Sequence, residues 1–295
     1  MTAGAPVRAR FEPEFLPLRG EEPRWGEVAI LPWDAEVFGF PVAEYRAGAG
    51  AEIARDPSML RQELERWSAR TGAELVGCRL PAESPGLLSL LTAAGFRFVE
   101  LQLSATRPRL DRLEPRRLSV RRAEPADHSR IAEIAGSAFT FGRYHADPLF
   151  PRALASRRFR IWMERALADP SPGTWIGVLG PPGEPAGFVH AELDPDKETA
   201  DIRLLATESA APAAATKGAA GTAGPLAGLA GPALLLGSLH ELAAAGASRA
   251  IARLSPANSA ALNVYASLGF QFHDPAVVLH WSRPGAPHLL SAPPV

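Results

Sequence analysis

The sequence predicts an α+β protein of two related halves, a degenerate first half followed by a complete second one. Three observations lead there. From Leu118 onward, strand-like and helix-like segments follow in the order strand, two helices, three strands, helix, strand, helix, strand. Residues 69–98 and 243–272 align without a gap at an offset of 174 (Ala69 onto Ala243). Both copies end in a helix stopped by glycine and followed by Phe-x-Phe, at Gly95 and at Gly269.

The repeat is specific in its placement. Ala69, Gly72 and Ala73 match Ala243, Gly246 and Ala247. Arg79-Leu80 matches Arg253-Leu254, Leu88 matches Leu262, and Gly95-Phe96-x-Phe98 matches Gly269-Phe270-x-Phe272. The copies differ at two polar positions: Leu91 stands where the second copy has Tyr265, and Ser84 where it has Asn258. The first copy therefore reads as scaffold and the second as the working half.

In the first half, taken as residues 25–106, a strand is expected over Val42 to Tyr45. A helix over Pro57 to Thr71 precedes the strand Glu74 to Leu80. A second helix, Pro85 to Ala94, precedes the strand Phe96 to Ala105. Residues 107–117 are rich in Arg and Pro and read as a linker. The second half, 118–283, opens with the strand Leu118 to Arg122 and a helix started by Pro125 and Asp127 that runs to Phe139. A polar segment, Thr140 to Asp147, leads to a helix over Pro151 to Ala168. Trp175 to Leu179, Pro185 to Leu193 and Thr199 to Ala206 are strands. Helix Ala233 to Ala245, strand Ala250 to Leu254, the helix of Tyr265, and strands Gln271-Phe272 and Ala276 to Trp281 follow. Residues 1–24 and 284–295 are charged or proline-bearing and are expected to lack fixed structure.

Composition excludes several classes. A net charge of −1 leaves no broad basic footprint for nucleic acid. No apolar run approaches the roughly 18–20 residues a bilayer demands, and residues 1–24 hold no signal-peptide core. The single cysteine, Cys78, cannot form an internal disulfide, which fits a reducing, cytoplasmic setting. His145-Ala-Asp147 has no companion ligands at metal-site spacing, so no metal is expected.

The chemistry concentrates in Asn258-x-x-Ala-x-x-x-Tyr265-x-x-x-Gly269-Phe270. Asn258 suits an N-cap, Ala261, Leu262, Tyr265 and Leu268 share helical spacing, and Gly269 suits the stop. This pattern, with the element order above, resembles the GNAT superfamily of N-acetyltransferases over about 165 residues, Leu118 to Arg283. The resemblance implies a mixed central sheet flanked by helices, with acetyl-CoA as co-substrate. It also implies a tyrosine, here Tyr265, that protonates the departing thiolate. A tyrosine with its usual pKa of about 10 keeps its proton at neutral pH for that task. The strand end Leu204, Leu205 and Ala206 is implied to hold the acetyl carbonyl with backbone N–H groups.

The family's pyrophosphate loop matches best at Pro225-Leu-Ala-Gly228-Leu229-Ala230-Gly231, where free helix N–H groups would meet the anion. It departs in having Pro225 where the family has Gln or Arg, and in a preceding Ala/Gly-rich insert, Ala210 to Gly224, that contains Lys217. Asn258 and Tyr265 complete the cofactor-binding set. Candidates for the base are His190 and Glu192, which share a strand face, with Glu208, His280 or a water chain beside them. The opening Trp33-Asp34-x-x-x-Phe38-Gly39 and Phe141-Gly-Arg143-Tyr144-His145-x-Asp147 resemble the TDP-fucosamine acetyltransferase type, which acetylates a 4-amino sugar on a nucleotide diphosphate. That implies Arg143 and Tyr144 as acceptor residues, with Arg143 on the diphosphate. The alternatives are a peptide, protein or other small-amine acceptor, a longer acyl-CoA, and a non-catalytic GNAT-like binding module. Oligomeric state is left open.

Overall fold

The computed structural model describes residues 13–18, 26–48, 56–114, 120–196, 198–208 and 230–290. The chain forms two compact units that are interleaved in sequence. Unit 1 takes residues 1–102, 142–158 and 274–295, and unit 2 takes 103–141 and 159–273. The sequence predicts consecutive halves instead.

Unit 1 has strands β1 (Leu16–Pro17), β2 (Glu27–Ile30), β3 (Val42–Arg46) and β4 (Leu75–Pro81), and helices α1 (Pro32–Phe38), α2 (Pro57–Thr71) and α3 (Pro85–Ala93). Helix α2 shows why these residues form a helix there. Asp56 caps it by accepting the Ser58 N–H at 2.9 Å, and Pro57 occupies the first turn. Leu60, Leu64 and Trp67 return every turn to one buried face, and Gly72 in the left-handed conformation ends it. That face packs on Val76, Cys78 and Leu80 of β4 and on Leu91 and Phe96.

Unit 2 holds β6 (Arg121–Arg122), β7 (Thr174–Leu179), β8 (Gly187–Leu193), β9 (Thr199–Thr207) and β10 (Arg249–Leu254). Its helices are α4 (His128–Ala138), α7 (Ala230–Ala244) and α8 (Ser259–Ser267). Strands β7, β8 and β9 are antiparallel, while β9 and β10 are parallel. Leu234, Leu235, Leu239 and Leu242 of α7 pack on Ala191, Ala200, Ala250 and Ala252, whose small side chains let the helix approach the sheet. Ile131 and Ile134 of α4, with Met163, cover Ile176, Phe188 and Leu204 in a second cluster. The helix α5 (Arg143–Ala146) lies in unit 1, and α6 (Arg152–Ala168) begins in unit 1 and ends in unit 2.

The repeat is real in backbone geometry. Phe96 N–H bonds to Leu91 O, and 174 residues later Phe270 N–H bonds to Tyr265 O. Gly95 and Gly269, like Gly72 and Gly246, all have positive φ, so each of these helix ends needs the freedom of glycine.

The last strands are exchanged between the copies. The final strand of the first copy, β5 (Arg97–Pro108), pairs antiparallel with β10 from Pro108↔Arg249 to Leu103↔Leu254. The final strand of the second copy, β11 (Gln271–Ser282), pairs antiparallel with β4 from Ser282↔Leu75 to Ala276↔Pro81. Adding the offset of 174 to Leu75 and Pro108 gives Arg249 and Ser282, so the two registers are the same. The strand order is β1-β2-β3-β4-β11 in unit 1 and β5-β10-β9-β8-β7-β6 in unit 2.

Several boundaries differ from the sequence reading. Within residues 1–24, Leu16–Pro17 pairs with β2, and Leu18 is buried. Pro17 fits because an edge strand tolerates a missing N–H. Within 107–117, Arg107 and Pro108 end β5, and Leu110 is core. Within 284–295, His288 Nδ1 lies 2.7 Å from Glu74 Oε1, and Leu290 N–H bonds to Leu149 O. Gln271–Ser282 is one strand rather than two, with Asp274 at positive φ before Pro275. Helix α7 starts at Ala230 rather than Ala233. Among the described residues, no helix is long and apolar enough to cross a membrane.

Candidate active site

In unit 2 the parallel strands β9 and β10 stay paired from Thr199↔Arg249 to Ile202↔Ala252, and there the pairing stops. Each strand keeps its outer neighbour: β9 stays on β8 as far as Thr207↔Gly187, and β10 stays on β5 as far as Leu254↔Leu103. The two strands therefore part at their carboxyl ends. The parting coincides with a β-bulge. Ala191 pairs with Ile202 but His190 pairs with Leu204, so Arg203 is the extra residue. Leu204, Leu205 and Ala206 lie beyond the bulge, on the freed length of β9. Their backbone groups that point away from β8 have no ladder partner among the described residues, the arrangement a carbonyl oxygen or an amide-bearing arm can exploit.

Helix α8 follows β10. Its N-cap is Asn258, whose Oδ1 accepts the Ala261 N–H at 3.0 Å. Tyr265 is buried in the unit 2 core, with its ring edge-on to Phe270 at 4.8 Å. Its hydroxyl makes no hydrogen bond among the described residues. Burial, and then the negative charge of Asp201, pushes the phenol above its ordinary value, so it stays protonated at neutral pH. Ala230 and Gly231 form the first turn of α7 instead of a loop ahead of it. Gly228, Leu229, Pro225, Lys217 and the Ala/Gly insert lie outside the described residues.

His190 stands on β8 between Ile176 and Leu204, its paired residues on either side. It is 1% exposed, lies edge-on to the Trp162 ring at 6.2 Å, and has no hydrogen-bond partner for either ring nitrogen among the described residues. Burial dominates its titration and lowers its pKa to about 4, against a smaller upward pull from Glu192. At neutral pH it is therefore an uncharged imidazole with a free lone pair. Glu192 shares that face but is engaged, 3.0 Å from Arg203, which also lies 3.0 Å from Asp201. Burial raises the Asp201 carboxyl against the opposing pull of Arg203 and Arg253. Glu208 is ion-paired with Arg130.

Arg143 and Tyr144 are the acceptor residues expected from the sequence. Both belong to unit 1, where they converge on Asp34. The Tyr144 hydroxyl donates to Asp34 Oδ2 at 2.6 Å, Arg143 Nη2 donates to the same oxygen at 3.2 Å, and Arg158 Nε donates to Oδ1 at 2.6 Å. Burial works to raise the Asp34 carboxyl, but the two guanidinium groups and the phenol outweigh it and hold the carboxyl below the usual range. Phe38 and Phe150 pack their rings on Tyr144 at 4.9 and 4.7 Å. Trp33-Asp34-x-x-x-Phe38 thus builds a hub inside unit 1. His280, a base candidate, is also in unit 1, with Nδ1 2.7 Å from Asp147 Oδ2.

Sequence reasoning missed Asp201, Arg203 and Arg158. The bulge at Arg203 has no local signature in an apolar run, and Asp34 and Arg158 are 124 residues apart. Among the described residues, no group of three or more His, Cys, Asp or Glu is placed to hold a metal ion.

No family model matches the chain, and no curated protein matches it in sequence. Solved structures do match. A GCN5-related N-acetyltransferase from Sphaerobacter thermophilus is 16% identical with a TM-score of 0.59, covering 88% of this chain and 78% of that one. A functionally unknown conserved protein from Staphylococcus epidermidis ATCC 12228 is 11% identical with a TM-score of 0.56, covering 92% and 95%. A tandem GNAT protein from the clavulanic acid biosynthesis pathway is 14% identical with a TM-score of 0.51, covering 87% and 78%. At such identities the likeness is one of fold: the chain has the α+β GNAT fold, a mixed sheet flanked by helices, in a tandem arrangement.

Proposed function

We propose that unit 2 transfers an acetyl group from acetyl-CoA to a primary amine, with an amino sugar, free or nucleotide-linked, as the acceptor. The observation that carries this reading is the parting of β9 from β10 at the Arg203 bulge. It frees the backbone of Leu204 to Ala206 for the acetyl carbonyl and the pantetheine arm. Acetyl-CoA would supply the activated acetyl group. Donors fixed in advance on β9 would then stabilise the developing oxyanion without reorganising.

The amine must attack uncharged. His190, neutral and without a hydrogen-bond partner among the described residues, and Glu192 on the same face are the candidate proton acceptors, His190 being a weak base because burial lowers its pKa to about 4. Tyr265, which burial keeps protonated at neutral pH, is the candidate proton donor to the leaving thiolate. Asn258 holds the α8 end in place through its cap. The amino-sugar choice rests on the resemblance of the Trp33 and Arg143 motifs. Because Arg143 is already tied to Asp34, its contribution to a diphosphate contact would be indirect.

Burial of Tyr265 against Phe270 favours a second reading, in which it packs the helix and the module binds without turnover. Calorimetric titration with acetyl-CoA and then CoA separates the two. One saturable site per chain, followed by acetylation of an amino sugar in an acceptor screen, supports the transferase. Absence of binding at millimolar ligand overturns it.

A further inference from the structure

Unit 2 holds a three-residue charge cluster beside the point where β9 leaves β10. Glu192 of β8 and Asp201 of β9 stand directly opposite each other, one rung before the pair Ala191↔Ile202. Pairing of β9 with β10 also ends at Ile202. Like charges that face each other across a rung repel. Arg203 relieves them with the two arms of one guanidinium. Its Nη2 donates to Glu192 Oε2 at 3.0 Å, and its Nη1 lies 3.0 Å from Asp201 Oδ2. The Arg203, Glu192 and Asp201 side chains keep 33%, 27% and 24% of their surface exposed, so solvent and salt still reach them.

The place of this fork gives it a role that its strength does not. Partly exposed ion pairs add little to global stability. Arg203, however, is the bulge residue itself, the one position of β9 that no residue of β8 opposes. A bulge disrupts the ladder and bends its strand. Beyond it β9 has lost β10 and keeps only β8 as a paired neighbour. The fork spans this weak point. One anchor, Asp201, lies on β9 ahead of the bulge, and the other, Glu192, lies on the strand alongside. A planar guanidinium held at two nitrogens has a fixed orientation, which an ammonium held as a point charge does not. Holding the side chain of residue 203 in this way restrains the backbone that leads into Leu204, Leu205 and Ala206.

We propose that Arg203 is a positioning residue. Its forked contacts with Glu192 and Asp201 set the path of β9 at the bulge and so aim the backbone donors of Leu204 to Ala206. The proposal rests on the acetyl-transfer reading of unit 2, in which those donors meet the acetyl carbonyl. Arg203 acts through β9 and not on the reacting atoms. Donors that stabilise an oxyanion depend steeply on their placement, so a small displacement of β9 weakens the transition state more than it weakens binding.

The test compares Arg203→Met and Arg203→Lys with the wild type in the full chain. Amide hydrogen exchange, read by NMR, follows the strand without requiring activity. In Arg203→Met the amides of residues 203–206 that bond to β8 should exchange roughly tenfold faster, while those of β7 and the urea unfolding curve stay close to wild type. Turnover of acetyl-CoA should fall roughly tenfold, with calorimetric affinity for CoA little changed. Arg203→Lys, which keeps the charge but not the fork, should resemble Arg203→Met in both measurements. In the wild type, salt at about 1 M should speed exchange at the same amides by screening the fork, a result that does not depend on either variant folding. Exchange at residues 203–206 that is unchanged in Arg203→Met, or that rises equally across the sheet, overturns the proposal. So does full recovery in Arg203→Lys, which would make charge alone sufficient. If the wild type transfers no acetyl group, the reading of unit 2 as a transferase fails, and the exchange data still decide whether the fork holds β9.

Discussion

Replacing His190 by Leu should remove a specific acid sensitivity. An ordinary histidine titrates at 6.5, whereas burial holds His190 at about 4 in the native protein. Below about pH 6.5 the unfolded chain takes up a proton that the native imidazole refuses until about pH 4, so the unfolded state binds more protons across that window. Native stability must therefore fall as pH falls between those values, and rise as pH rises. A shift of about 2.5 units at about 1.36 kcal/mol each amounts to roughly 3 kcal/mol, complete near pH 4. Leu has no such proton to refuse, and its neighbours Ile176 and Leu204 are apolar. The assay is urea unfolding of both proteins from about pH 7 to about pH 4.5, read as ΔG and not as midpoint alone. The stability difference should move in favour of His190→Leu by roughly 2.5 kcal/mol over the range, the remainder appearing only below about pH 4.5. Other shifted groups, Asp34 and Asp147 among them, titrate in both proteins and cancel. Parallel curves for the two proteins would refute the reasoning, because they would mean that His190 is solvated or hydrogen-bonded in the native state.

Three further outcomes follow from particular contacts. Tyr265→Phe should lower acetyl-transfer turnover by roughly 10²-fold or more with acetyl-CoA affinity little changed, whereas equal losses in both would make the tyrosine a packing or binding residue. Asp34→Ala leaves Arg143, Arg158 and the Tyr144 hydroxyl without their shared acceptor, and should cost about 3–5 kcal/mol in denaturant unfolding. Asn258→Ala removes the α8 cap and should cost about 1 kcal/mol, while Asn258→Asp, which keeps an acceptor oxygen, should cost much less.

What the sequence made legible was local. The Gly-Phe helix ends at Gly95 and Gly269 follow from a backbone conformation that glycine adopts without strain, and they took their expected form at both places. The Asn258 cap and the shared face of His190 and Glu192 are likewise set by residues close in the chain. The exchange of β5 and β11 was not legible, because both strands have the same pattern and offer the same register to β4 and β10. A period of two shows which face a strand buries but not which partner it chooses. The joining of Arg143, Tyr144 and Arg158 to Asp34 was hidden for the same reason: it depends on segments more than 100 residues apart. The early start of α7 was missed because Ala and Gly before Pro232 carry no capping side chain.

The exchanged strands also set an order on how the molecule can be made. A nascent chain emerges amino end first, and early domains ordinarily fold before later ones are synthesised. Here β4 waits for Ala276–Ser282 as its neighbour, and Asp34 waits for Arg143, Tyr144 and Arg158. The amino-terminal segment must therefore remain an unfinished sheet edge on the ribosome until Ser282 has been translated. Unit 2 can close first, because every strand it needs has been translated by Leu254. Synthesis order and folding order run in opposite directions, and a chain that stops before β11 leaves the edge of β4 open for another molecule's strand to take.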